Sequence, residues 1–144
     1  MRQLATDFAG ARCVLLGGTE DRLLGESIAQ AAPDRCLDLT GQTSLPELIE
    51  WLRRCEVVVT NDTGPMHVAA ALGKPVVAIF GPTEPRRTGP YGQLGRTVQL
   101  EIPCAPCLKP RCAYVKPFEC LKGITPLVIA ERVRRELQSI YDQP

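Results

Sequence analysis

The chain has no apolar run approaching the length of about eighteen residues that a membrane-spanning helix needs. Its first residues, MRQLATDFAGARC, do not have the basic-then-apolar form of a secretory signal. Together the two absences lead us to expect a cytoplasmic protein. Neither G-x-G-x-x-G nor G-x-x-x-x-G-K-[ST] occurs anywhere, so neither a dinucleotide fingerprint nor a P-loop is supported. The net charge is only +1, which excludes the basic excess of a nucleic-acid-binding domain. Histidine is nearly absent, with His67 the single example.

What remains is the composition of a globular protein, 44% hydrophobic and 23% charged over 144 residues, enough for one domain with a real core. Charge is unevenly placed. Residues 1–85 carry 7 basic and 11 acidic side chains, and residues 86–144 carry 10 and 5. A basic second half favours an anionic ligand or is simply solvated exterior.

The pattern alternates apolar β-branched runs with helical segments. ARCVLLGG, RCLDLTG, EVVVTN and PVVAIFG read as strands. EDRLLGESIAQAA places Leu24, Ile28 and Ala31 on one helical face. SLPELIEWLRRC opens with a capping box, Ser44 with Glu47, and sets Leu45, Leu48, Ile49 and Leu52 at helical spacing. GPMHVAAAL is a helix closed by Gly73. A last helix is capped by Thr125, with Ala130, Val133, Leu137 and Ile140 on one face. Between them GPTEPRRTGPYGQLG reads as a long Pro/Gly-rich loop. Continuous apolar strands separated by helices imply an α/β fold, a Rossmann-like doubly wound parallel sheet covered on both faces.

Such sheets bind ligands beyond the carboxyl ends of their strands. Asp62-Thr63-Gly64 delivers a strand onto a helix N-terminus, where free backbone N–H groups and the dipole favour an anion. Glycine lets a ligand approach the backbone, the Thr63 hydroxyl adds a donor, and His67 lies one turn in. The plain alternative is that Asp62 or Thr63 only caps the helix and His67 is a surface residue. Glu20, after the strand ending Gly17-Gly18, is placed to bond a ribose diol or merely to favour the helix dipole. Thr83, Arg86, Arg87 and Thr88 sit near the end of the fourth strand, where arginines on a mobile loop can close over a diphosphate.

Of seven cysteines, Cys13, Cys36 and Cys55 read as small core residues. The other four, Cys104, Cys107, Cys112 and Cys120 in a Cys-rich segment over 103–122, have the spacing C-x2-C-x4-C-x7-C. Four thiolates so close can form a structural zinc or iron–sulfur site, although the spacing fits no standard ribbon or ferredoxin pattern. Packing cysteines are the alternative.

Taken in order, GQTSLPELIEWLRRCEVVV, NDTGPMHVAAALGKPVVAIFGPTEPRRTGP and CAPCLKPRCAYVKPFECLKGITP resemble the signature of glycosyltransferase family 9, the ADP-heptose:lipopolysaccharide heptosyltransferases. The resemblance covers roughly residues 11–140. It implies a GT-B enzyme of two Rossmann-like domains, with this chain, 1–144, a single partial domain, most of the C-terminal donor-binding half. It also implies that Asp62, Thr63, Gly64 and His67 meet the diphosphate and sugar of ADP-heptose, that Glu20 holds the ribose and that Thr43 lies against the adenine.

On the same resemblance, the N-terminal acceptor domain with its general base, and the strand bearing a phosphate-binding Thr/Lys segment, are expected to be absent. The isolated chain is then expected to be inactive. The reaction implied is an inverting transfer of heptose to the lipopolysaccharide inner core, without a required cofactor, by a protein in peripheral contact with the inner membrane. Two alternatives stay open. One is the donor domain of another nucleotide-sugar transferase in surface glycan synthesis, and the other a non-catalytic module built on a metal-bound cysteine knuckle.

Overall fold

The computed structural model describes residue 8 and residues 10–142. The described residues form two compact units, divided between Trp51 and Leu52.

The first unit is a strand–helix–strand. Strand β1 (Cys13–Leu15) and strand β2 (Cys36–Asp38) pair in parallel, with Cys13 opposite Cys36 and Leu15 opposite Asp38. Helix α1 (Arg22–Gln30) makes the crossover. Its close approach is set by Gly25, which is buried: a Cβ there would stand 2.5 Å from Thr40 Oγ1 and 2.8 Å from Asp38 Oδ1. Asp38 Oδ1 accepts from both the backbone N–H (3.0 Å) and the hydroxyl (2.7 Å) of Thr40, and these bonds hold its carboxyl below the usual carboxylate range. Leu24 and Ile28, expected on a core-facing stripe, are 63% and 41% exposed, and Ala31 is exposed as well. Three-residue strands offer too little apolar surface within this unit to cover them.

Helix α2 (Leu45–Arg54) begins at the predicted box. The Glu47 carboxylate accepts from the Ser44 N–H at 2.8 Å and its hydroxyl at 2.6 Å.

The second unit carries the larger sheet. Strands β3 (Val58–Asn61), β4 (Val76–Phe80) and β5 (Thr97–Gln99) run parallel in the order β3-β4-β5. The central strand has Val76, Val77, Ala78 and Phe80 at 1% exposure or less, as its unbroken apolar run requires. Helix α3 (Gly64–Ala71) crosses from β3 to β4 and buries Met66 and Ala69 fully. Gly73, at φ +72°, ends it in the left-handed conformation that favours glycine.

Three elements, two helical turns and a strand, lie where the pattern reads loop or nothing. Helix α4 (Pro85–Thr88) is one turn inside the Pro/Gly-rich stretch, and β5 is too short to show periodicity. Helix α5 (Glu119–Lys122) and helix α6 (Pro126–Tyr141) follow. Helix α6 buries Ala130 and Val133 and half-buries Leu137 and Ile140, the face expected. Its Glu136 accepts from Arg96 Nε at 2.6 Å, tying the helix to the start of β5. The Gln93 side chain holds the start of β4, accepting from Val76 N and donating to Lys74 O, each at 2.9 Å.

Among the described residues, no helix is long and apolar enough to cross a membrane.

Candidate functional site

In the second unit, β3 ends at Asn61 and the chain turns through Asp62 and Thr63 into α3. Thr63 has the extended backbone of an N-cap (φ −146°, ψ 167°), yet its side chain caps nothing. Its hydroxyl lies 3.2 Å from the Thr60 hydroxyl and 3.4 Å from Asn61 O. Pro65 supplies no N–H and Met66 N donates to Thr63 O at 3.1 Å, so among the described residues it is the Gly64 N–H that the first turn of α3 leaves to solvent or a ligand. Gly64 is exposed, and a Cβ built on it would meet nothing within 4 Å. The reading of Asp62 or Thr63 as an ordinary helix cap is therefore not what the structure shows.

Asp62 is engaged elsewhere. The Thr88 hydroxyl, at the end of α4, donates to Asp62 Oδ2 at 2.8 Å. The stretch between β4 and Thr88 is built to hold that position. Gln99 Nε2, at the end of β5, donates to Gly81 O (3.1 Å) and Thr83 O (2.9 Å). The Glu84 carboxylate caps α4 by accepting from Arg86 N at 3.1 Å, and Pro85 occupies the first helical position. Gly89 closes the turn: its N–H donates to Pro85 O at 2.7 Å, and a Cβ on it would overlap that same oxygen. The arginines expected on a mobile loop stand instead on a capped helical turn. Arg86 and Arg87 are exposed, and among the described residues their guanidinium groups have no acidic partner.

His67 is exposed on the first turn of α3, and among the described residues it has no hydrogen-bond partner. Thr83 is half-buried, its carbonyl held by Gln99. Glu84, Pro85 and Arg86 also face an open groove of about 420 Å³ shared with Leu94, Gly95, Thr97 and Gln99, none of them on α3. In the first unit, Glu20 lies exposed in the 3-10 turn Thr19–Asp21 that follows β1, its carboxylate folded over Gly18. Thr43 is half-buried in the turn before α2. Each candidate thus stands beyond the carboxyl end of a strand. The partnership the sequence does not show is Thr88 with Asp62, 26 positions apart. The hold of Gln99 on the loop is equally invisible, because the short β5 gives no periodic signal.

The four clustered cysteines are free thiols with different surroundings. The exposed Cys112 Sγ accepts the Phe118 N–H at 3.3 Å. That bond and one from Tyr114 draw its thiol below the ordinary range. Burial, helped by Cys104, Cys112 and Cys107 nearby, pushes Cys120 up. Among the described residues, no three His, Cys, Asp or Glu side chains are grouped to hold a metal ion, although Cys104, Cys107 and Cys112 lie near enough to Cys120 to act on its thiol.

The chain is 39% identical over 95 residues to lipooligosaccharide heptosyltransferase 2 of Haemophilus influenzae, covering 63% of this chain and 28% of that protein. It is 29% identical over 145 residues to lipooligosaccharide heptosyltransferase 2 of Campylobacter jejuni, covering 96% of this chain and 45% of the relative. The solved structure of Escherichia coli ADP-heptose LPS heptosyltransferase II superposes with a TM-score of 0.76 at 30% identity, over 96% of this chain and 40% of that one. The chain therefore spans less than half the length of the relatives it matches. With residues 4–117 also matching the family as a whole, the chain belongs to glycosyltransferase family 9, the heptosyltransferases.

Proposed function

We propose that this chain is the donor-binding part of an inverting heptosyltransferase, taking ADP-heptose and passing its heptose to the inner core of lipopolysaccharide. The observation that carries the reading is the uncapped start of α3. The open Gly64 N–H, with no protein atom crowding that residue, and the exposed His67 side chain meet there at a strand end, in a family 9 chain.

In this reading the first turn of α3, the Thr63 hydroxyl and His67 receive the diphosphate, with Arg86 or Arg87 adding positive charge. Glu20 takes the ribose and Thr43 the adenine. Transfer is a single displacement at the anomeric carbon of the sugar. The acceptor hydroxyl loses its proton to a base not assigned to any residue of this chain, and ADP departs. Donors aimed at the diphosphate lower the barrier because negative charge grows on the leaving group as the bond breaks. No step is assigned to a metal ion. The acceptor is a lipid-borne core, which puts the work at the cytoplasmic face of the inner membrane, in peripheral contact with it.

Calorimetric titration tests the donor. ADP and ADP-heptose are expected to bind, with GDP- and UDP-sugars at least about tenfold weaker, about 1.4 kcal/mol. Equal or tighter binding of a GDP- or UDP-sugar would move the chain to another nucleotide-sugar transferase, and no binding of any nucleotide would overturn the reading.

A further inference from the structure

We propose that Thr88 is a positioning residue for the donor site, acting through Asp62. The inference rests on the reading of the α3 start as the diphosphate site. A carboxylate next to that site presents a difficulty: Asp62 immediately precedes Thr63, and a free aspartate there is drawn to the open Gly64 N–H and the positive end of the helix dipole. It would compete for the same donors as the anionic ligand and repel it.

The structure resolves the conflict with one hydrogen bond. Thr88 Oγ1 donates to Asp62 Oδ2 at 2.8 Å and holds the carboxylate on the side of α4. Among the described residues the other oxygen, Oδ1, has no such partner, which leaves it to accept from a sugar hydroxyl. The hydroxyl has little freedom to drift. Its helix is capped by Glu84, its entry is held by Gln99 through Gly81 O and Thr83 O, and its exit is closed by Gly89. Thr88 N also donates to Glu84 O at 3.1 Å. This frame does not include Asp62, so the hydroxyl keeps its place without the bond and the carboxylate is the partner being held.

The test is a double-mutant cycle read by calorimetric binding of ADP-heptose and ADP, with thermal melts alongside. Thr88→Val keeps the shape and removes the hydroxyl, and it is expected to weaken both ligands about tenfold, as losing a bond to a charged group does. Thr88→Ser is expected to restore affinity to within about twofold. In an Asp62→Asn background, Thr88→Val is expected to add less than about twofold, because no charge then needs holding. Wild-type affinity in Thr88→Val, failed rescue by serine, or the same tenfold loss in the Asp62→Asn background would each overturn the inference. So would a loss of binding in Thr88→Val and Thr88→Ala matched by a collapse of the melt, which would show that the residue serves only the fold. If the unaltered chain binds neither ADP nor ADP-heptose, the underlying functional reading fails instead, and this inference falls with it.

Discussion

Gly64→Ala separates ligand binding from folding more cleanly than any other change at the site. Gly64 is the first residue of α3, exposed, and an added methyl would meet no protein atom within 4 Å. Its backbone does not lie at positive φ, so alanine is unstrained there. The fold therefore has no use for glycine at this position. Alanine restricts the unfolded chain and suits a helix better, which is expected to stabilise by about 0.4–1 kcal/mol. For a chain of this size that raises the melting temperature by about 1–4 °C. A ligand lying against the open Gly64 N–H would, however, meet the new methyl. Displacing a diphosphate by even a fraction of an ångström weakens its charge-assisted bonds, and affinity for ADP and ADP-heptose is expected to fall at least about tenfold, about 1.4 kcal/mol. The assays are a thermal melt and a calorimetric titration on the same preparation, and the two results should move in opposite directions. Unchanged affinity with a raised melting temperature would refute the placement of the anion at α3.

Three further outcomes are expected. His67→Ala should leave the melt within about 0.5 kcal/mol, since the side chain is exposed and partnerless among the described residues, while ADP affinity drops about fivefold to tenfold by titration. Gly89→Ala places a methyl against the Pro85 carbonyl and 2.8 Å from Leu94 Cδ2, so it should destabilise by about 1–3 kcal/mol in denaturant unfolding. Cys112, exposed and drawn toward the thiolate by two backbone N–H groups, should be alkylated faster than Cys55 or Cys120 near neutral pH. Mass spectrometry should show that lead shrinking as pH rises and the other thiols ionise.

Much of the framework is legible in the amino-acid sequence. Four of the five strands are legible as short apolar or β-branched runs, and β4 is unbroken because the central strand is buried along its length. The Ser44–Glu47 box and the apolar face of α6 were equally plain, since both depend on residues three or four apart. The segment after β4 was harder. Its prolines and glycines signal a loop, yet Glu84, Pro85 and Gly89 happen to be the cap, first position and stop of a single helical turn. The exposure of Leu24 and Ile28 is another departure, because periodicity tells which residues share a face and not whether anything covers it.

At the site, local sequence determined the strand-to-helix junction, the glycine that leaves it open and the presence of Thr63 and His67. These are properties of consecutive residues and their backbone preferences. Only tertiary structure decided that Thr63 would not cap its helix and that Asp62 would be held by Thr88. It also decided that Gln99, from a three-residue strand, would pin the loop between them. Each of those depends on side chains brought together by the parallel order of β3, β4 and β5, and a hydrogen bond across 26 positions leaves no periodic trace in the chain that makes it.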